Sequence, residues 1–453
     1  MLRRALTVLA AAILLAGCTA SIAPDGDPTP SASPDLEAVS REAVEALAAG
    51  DSAPLHTLFS PSMAGQLSAQ QLEAAWAQTI ATAGEYTGTE SVSVAEKEGF
   101  TVVTVTSGFT TRPVLADLTY GHAGQLEGLW FSYGEAPTTA PAEPPDLPEG
   151  ATEEEIAVGQ YELPGKLLLP GGAGPNAAVL LVGGSGPTDM DGTVGTAGNA
   201  VLRDLAYQLA EHGVPTLRYD KRFAAHPELA TSASTIQDEV LDDVAAAIEL
   251  MGAMPELESR EIVVLGHSLG GMLLPEIVAD SPEVAGGVIV AGTARSLWAV
   301  IGSQNEQAID AALEAETITE EQASEQRTAL AAEIARAETL TDPHAESILG
   351  VLSAAYVVSV NELKLPELAA GLEIPLLVLQ GANDFQVSAG ADFESWRPVL
   401  EANADVTYEL FPGLNHLMMP ADSDVPDVSQ YDIPANVAPE VTALIADWLT
   451  ARW

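Results

Sequence analysis

A single cysteine, Cys18, stands in a chain of 453 residues, so no disulfide can form within it. Basic residues are scarce as well: 17 Lys and Arg face 65 Asp and Glu, for a formal net charge of −48. A surface so acidic repels nucleic acid and anionic head groups, and no nucleic-acid partner is expected. The acid excess itself reads as an adaptation to solubility or habitat. HExxH and paired Cys/His spacings are missing, which leaves no pattern for a catalytic metal. No cofactor is implied either.

The N-terminus carries Arg3 and Arg4, then a twelve-residue apolar stretch from Ala5 to Ala16. That stretch is too short to span a bilayer and has the form of a secretion signal. Leu15-Ala16-Gly17-Cys18 resembles the lipobox of bacterial lipoproteins. The resemblance implies cleavage of residues 1–17, lipidation of Cys18, and a chain tethered to the outer face of the cell membrane by that anchor only. An ordinary signal peptide is the alternative. Residues 18–34 read as a disordered tether, and the Pro-rich stretch at 135–151 as a linker.

Between them, apolar residues have helical spacing over Leu36–Ala48 and over 69–80. Four alternating segments follow (SVSVAEK, FTVVTVTSGF, RPVLADLTY and QLEGLWFSY), separated by glycine-bearing turns. Helices followed by a meander describe a small α+β domain at 35–134. It is similar to the cystatin- or NTF2-like (DUF3887-type) domains ahead of some secreted bacterial hydrolases. His56 and His122 stand alone in it, and no cluster of His, Asp or Glu suggests chemistry.

At 152–453 the pattern changes to continuous Val/Leu/Ile runs alternating with amphipathic helices. EIAVGQYELPGKLLLP reads as a hairpin with Pro164-Gly165 near its turn. AAVLLVGG, PTLRYD, REIVVLGH, VAGGVIVAGT, IPLLVLQG and VTYELFPG read as strands, with helices over 197–211, 234–251 and 436–451. Such a sequence predicts an α/β domain with a mostly parallel sheet covered on both faces. A helical insertion at about 296–368 is expected to cap it. Acids outnumber arginines there, which suits a solvated face or a lid that disfavours anionic substrates.

Gly266-His267-Ser268-Leu269-Gly270-Gly271 fits G-x-S-x-G between a strand and a helix. The pentapeptide alone is a weak signal, but this context is what a nucleophile elbow requires. A serine hydroxyl is a poor nucleophile near neutral pH and needs a base, which in turn needs an orienting acid. Asp384 follows IPLLVLQG and His416 follows VTYELFPG, so both fall on the strand edge that also carries Ser268. Asp392 and Glu394 are alternative acids. His267 is expected to pack rather than react, and His212, His226 and His344 fall on a helix end, a loop and the insertion.

GGSGPTDMDG, LRYDKR, GHSLGG, LVLQGANDFQV and GLNHLMMP, in this order, resemble the α/β-hydrolase superfamily, and more narrowly the EstD-like bacterial esterases and their serine-aminopeptidase-like relatives. The chain departs from that pattern at Phe223, where relatives often have Gly, and at Met190, where they often have Arg. The glycine-rich loop in VLLVGGSGPTDMDGT lacks the lysine and spacing of a phosphate loop. The resemblance instead makes the backbone N–H groups of Ser185 and Leu269 the oxyanion donors. Asp189 and Asp191 are expected either to brace that loop or to line the entrance. The function implied is a serine hydrolase that cleaves small or short-chain acyl esters through Ser268, His416 and Asp384. A serine aminopeptidase or other acyl hydrolase with the same residues is one alternative, and an inactive surface binding lipoprotein is another.

Overall fold

The computed structural model describes residues 36–453 apart from 65–66, 70–71, 73–75, 77–78, 81–82, 84–85, 98–99, 110–112, 122–123, 134–144, 316 and 422–426. The signal segment, Cys18, the tether, His122 and part of the linker lie outside the described residues. Two compact units divide the chain near residue 140.

In the first unit the helix Leu36–Ala48 precedes an antiparallel meander of β1 (Tyr86–Lys97), β2 (Phe100–Phe109), β3 (Val114–Tyr120) and β4 (Leu126–Tyr133), ordered β1-β2-β3-β4. Along β3, buried and half-buried residues alternate. The period of two sends Val114, Ala116, Leu118 and Tyr120 into one core with Val44 and Leu47. The Tyr120 hydroxyl is satisfied there by Ser40 at 2.8 Å. Leu72 and Trp76, in the second expected helix, are helical and buried. His56 hydrogen-bonds the Leu67 carbonyl and lies against Phe59, as a structural histidine would.

The second unit is built on eight strands. They are β5 (Thr152–Val158), β6 (Leu163–Leu169), β7 (Ala177–Val182), then, past the short pair β8 (Thr193–Val194) and β9 (Asn199–Ala200), β10 (Thr216–Tyr219), β11 (Glu261–His267), β12 (Val284–Val290), β13 (Leu376–Gly381) and β14 (Val406–Phe411). Their order is β14-β13-β12-β11-β7-β10-β6-β5, parallel from β10 to β14 and antiparallel at β6 and β5. All six residues of β7 and of β13 are buried. Ala178, Leu180 and Val182 face one core with Val244 and Ile248 of the helix Asp242–Ala253. Ala177, Val179 and Leu181 face the other, with Leu205 of Val201–Glu211 and Ile445 of Pro439–Thr450. Burying each Val or Leu on such a sheet contributes about 1.5–3 kcal/mol. With both faces covered, the carboxyl edge of the strands is left for chemistry.

The hairpin differs from expectation. Its turn lies at 159–162, where Gly159 and Glu162 have φ of +64° and +50°, and Pro164-Gly165 sits inside β6. A side chain at Gly165 would stand 2.8 Å from the Arg218 carbonyl, so this glycine serves close strand approach rather than a turn. Between β12 and β13 run the helices Leu297–Glu314, Glu320–Thr339, Ala354–Glu362 and Leu365–Ala370, which form the expected helical insertion.

Candidate active site

Ser268 follows β11 and starts the short helix Leu269–Met272. Its φ of +55° and ψ of −116° are a strained conformation for a side-chain-bearing residue. Local packing enforces the strain. A Cβ at Gly266 would lie 2.3 Å from the Gly270 carbonyl carbon, and the Ser268 amide donates to the Val290 carbonyl at 2.9 Å. The hydroxyl is thereby lifted half-buried onto the carboxyl edge of the sheet.

Asp384 lies three residues past β13, its side chain fully buried, and His416 five past β14. His416 Nδ1–H donates to Asp384 Oδ2 at 2.8 Å. That carboxylate also accepts from Gln380 Nε2 at 2.7 Å and from the amides of Gln386 and Val387 at 2.8 Å each. Four donors fix its orientation, and with it the plane and tautomer of the imidazole. On the histidine loop, Asn415 Oδ1 accepts from the amides of Leu417 and Met419.

His267 joins this loop to the elbow. Its Nε2–H donates to the His416 carbonyl at 2.9 Å, and the two rings lie 4.8 Å apart. Burial, reinforced by the neighbouring His416, lowers its pKa to about 3, so the ring stays neutral. The alternative acids serve elsewhere. Asp392 accepts from Thr293 and pairs with Arg295, while Glu394 is exposed and pairs with Arg397.

The loop after β7 packs on the serine. A Cβ at Gly184 would come 3.2 Å from the Ser268 Cβ, so a side chain there would push on the serine. Among the described residues, neither the Ser185 nor the Leu269 N–H donates to a protein acceptor. Asp189 and Asp191 both brace the loop: Asp189 accepts from the Thr193 amide, and Asp191 pairs with buried Arg218. Gln380, Lys221 and Glu239 were not picked out as functional by sequence reasoning. Of these, Gln380 had a signal, a polar residue closing an otherwise apolar strand.

A strained serine at a strand–helix elbow, a buried Asp–His pair on the same edge, and a helical insertion after the sixth strand define an α/β hydrolase. Residues 198–424 match the family described as serine aminopeptidase, S33, and residues 40–129 match a protein of unknown function, DUF3887. The chain is 32% identical over 389 residues to esterase EstD of Thermotoga maritima, covering 85% of this chain and 88% of that one. Similar solved structures include the esterase Pf2001 of Pyrococcus furiosus, 13% identical at a TM-score of 0.41, covering 69% of this chain and 97% of that one. Est1E of Butyrivibrio proteoclasticus is another, 14% identical at a TM-score of 0.39, covering 67% and 97%. The chain belongs to the EstD-like esterases of the α/β-hydrolase superfamily. It is an esterase acting on small-molecule esters, preceded by a DUF3887 domain.

Proposed function

We propose that Ser268, His416 and Asp384 are the catalytic triad of a carboxylic ester hydrolase for small or short-chain acyl esters. The observation that carries this reading is the buried 2.8 Å Nδ1–Oδ2 bond between His416 and Asp384, on the same sheet edge as strained Ser268. Ser268 Oγ adds to the ester carbonyl while His416 takes its proton, and Asp384 stabilises the imidazolium. The tetrahedral oxyanion is received by the N–H groups of Ser185 and Leu269. His416 then protonates the departing alcohol, which leaves an acyl-Ser268 ester, and water repeats the sequence to release the acid.

A fluorophosphonate probe should label wild-type chain at Ser268, and Ser268→Ala should lower hydrolysis of p-nitrophenyl butyrate about 10⁶-fold with the fold retained. Labelling elsewhere, or turnover within tenfold of wild type, would overturn the assignment. The match to the serine aminopeptidase family favours amide cleavage as the second reading. A panel of aminoacyl anilides beside acyl esters separates the two by kcat/KM. We also propose that Cys18 is lipidated and holds the esterase on the outer face of the membrane, because it closes a lipobox that follows a basic pair and an apolar stretch. Cys18→Ser should move the chain from the membrane fraction to the soluble fraction.

A further inference from the structure

Beneath the loop that follows β7 lies a buried ion pair that the triad does not use. Lys221, two residues past β10, is 6% exposed, and Glu239, in the π-helical turn Gln237–Leu241, is 8% exposed. Lys221 Nζ and Glu239 Oε1 are 2.8 Å apart. Lys221 Nζ also donates to the Gly184 carbonyl at 2.8 Å, and Glu239 Oε1 accepts the Gly186 amide at 2.8 Å. The pair thus grips the loop on both sides of Ser185.

The Gly184 carbonyl and the Ser185 N–H belong to one peptide group. That group is planar and trans, so the two point in opposite directions. Drawing the carbonyl onto the ammonium turns the N–H to the other side, where no protein acceptor takes it among the described residues. A charge-assisted bond at the carbonyl also polarises the peptide and strengthens its N–H as a donor. Stability alone does not account for the arrangement, because a buried ion pair is often no more stabilising than apolar residues of the same volume. Burial draws the Lys221 pKa down, with Glu239 and Asp243 opposing that shift.

We propose that Lys221 and Glu239 are positioning residues for ester hydrolysis. They orient and polarise the Gly184–Ser185 peptide toward the substrate oxyanion. The proposal rests on the reading of Ser185 as an oxyanion donor beside Ser268.

The test measures kcat and KM on p-nitrophenyl butyrate, together with affinity for an alkyl trifluoromethyl ketone, whose adduct with the serine carries an oxyanion. Lys221→Met should lower kcat about 10- to 100-fold with KM within about threefold, and ketone affinity should fall by the same factor as kcat/KM. Lys221→Arg, which keeps a charged donor, should recover part of that loss. Glu239→Gln keeps an acceptor for the Gly186 amide without the charge, and should lower kcat about three- to tenfold. If Lys221→Met fails to fold, Lys221→Arg and Glu239→Gln carry the test. Unchanged kcat and ketone affinity in the folded variants would overturn the brace. So would a loss that disappears when rates are expressed per fluorophosphonate-titrated site, because that is a structural role only. A wild-type chain with neither Ser268 labelling nor esterase turnover would overturn the triad-and-oxyanion reading itself, and the brace with it.

Discussion

The two sides of the proposed active site are held in place by different means. On the acid side, Asp384 takes three of its four hydrogen bonds from residues within four positions of it: Gln380, Gln386 and Val387. On the proposed oxyanion side, the grips on Gly184 and Gly186 come from Lys221 and Glu239, 37 and 53 positions away. The acid turn carries its own orientation. The loop at Ser185 takes shape only once β10 and the helical segment at Glu239 are packed beneath it. Local contacts give a rigid acid, and long-range ones give a loop coupled to its surroundings.

Breaking the acid side should have the largest effect. Asp384→Asn retains the turn but favours the wrong imidazole tautomer, and kcat should fall about 10⁴-fold with the circular dichroism spectrum unchanged. A loss under tenfold would mean that the acid does not orient His416. Gln380→Leu removes one of four donors to the carboxylate, and kcat should fall about tenfold. Combined with Glu239→Gln, the two losses should multiply if the sides act independently; a double variant far from the product would show that they are coupled.

The smallest effect concerns the joint between elbow and histidine loop. His267 is held neutral by burial, its pKa lowered to about 3, whereas the unfolded chain protonates near the ordinary value of about 6.5. Below that value the unfolded state binds a proton that the folded state refuses. Stability is therefore lost as pH falls from about 6.5 toward 3. His267→Gln keeps a donor for the His416 carbonyl but does not titrate. Between pH 7.5 and 5 its unfolding free energy should drop about 2 kcal/mol less than that of the wild type in urea titrations. Equal drops would mean that this ring does titrate in the folded protein.

Much of the second domain was legible because its signals are local. The six buried positions of β7 form an unbroken apolar run, and β13 opens on another, Leu376–Leu379. The elbow shows as a serine among glycines between such a run and a helix. Asp384 and His416 were found from strand order, since a residue just past a parallel strand must fall on the carboxyl edge. The hairpin turn was misplaced because Pro-Gly has two uses, and in β6 close packing against Arg218 decides which one applies. Asp189 and Asp191 could not be told apart as braces or entrance residues until Thr193 and Arg218 were seen to bind them.

By itself, the sequence determined the strands, their covered faces, the elbow and the positions of Ser268, Asp384 and His416 along the carboxyl edge, because each follows from periodicity or from turn chemistry over a few residues. Only the tertiary structure decided which acid meets His416, that His267 holds the histidine loop by its carbonyl, and that Lys221 and Glu239 lie beneath Ser185. Contacts between residues far apart in the chain leave no period to read. They exist only when the sheet and its helices have brought those side chains within hydrogen-bonding distance.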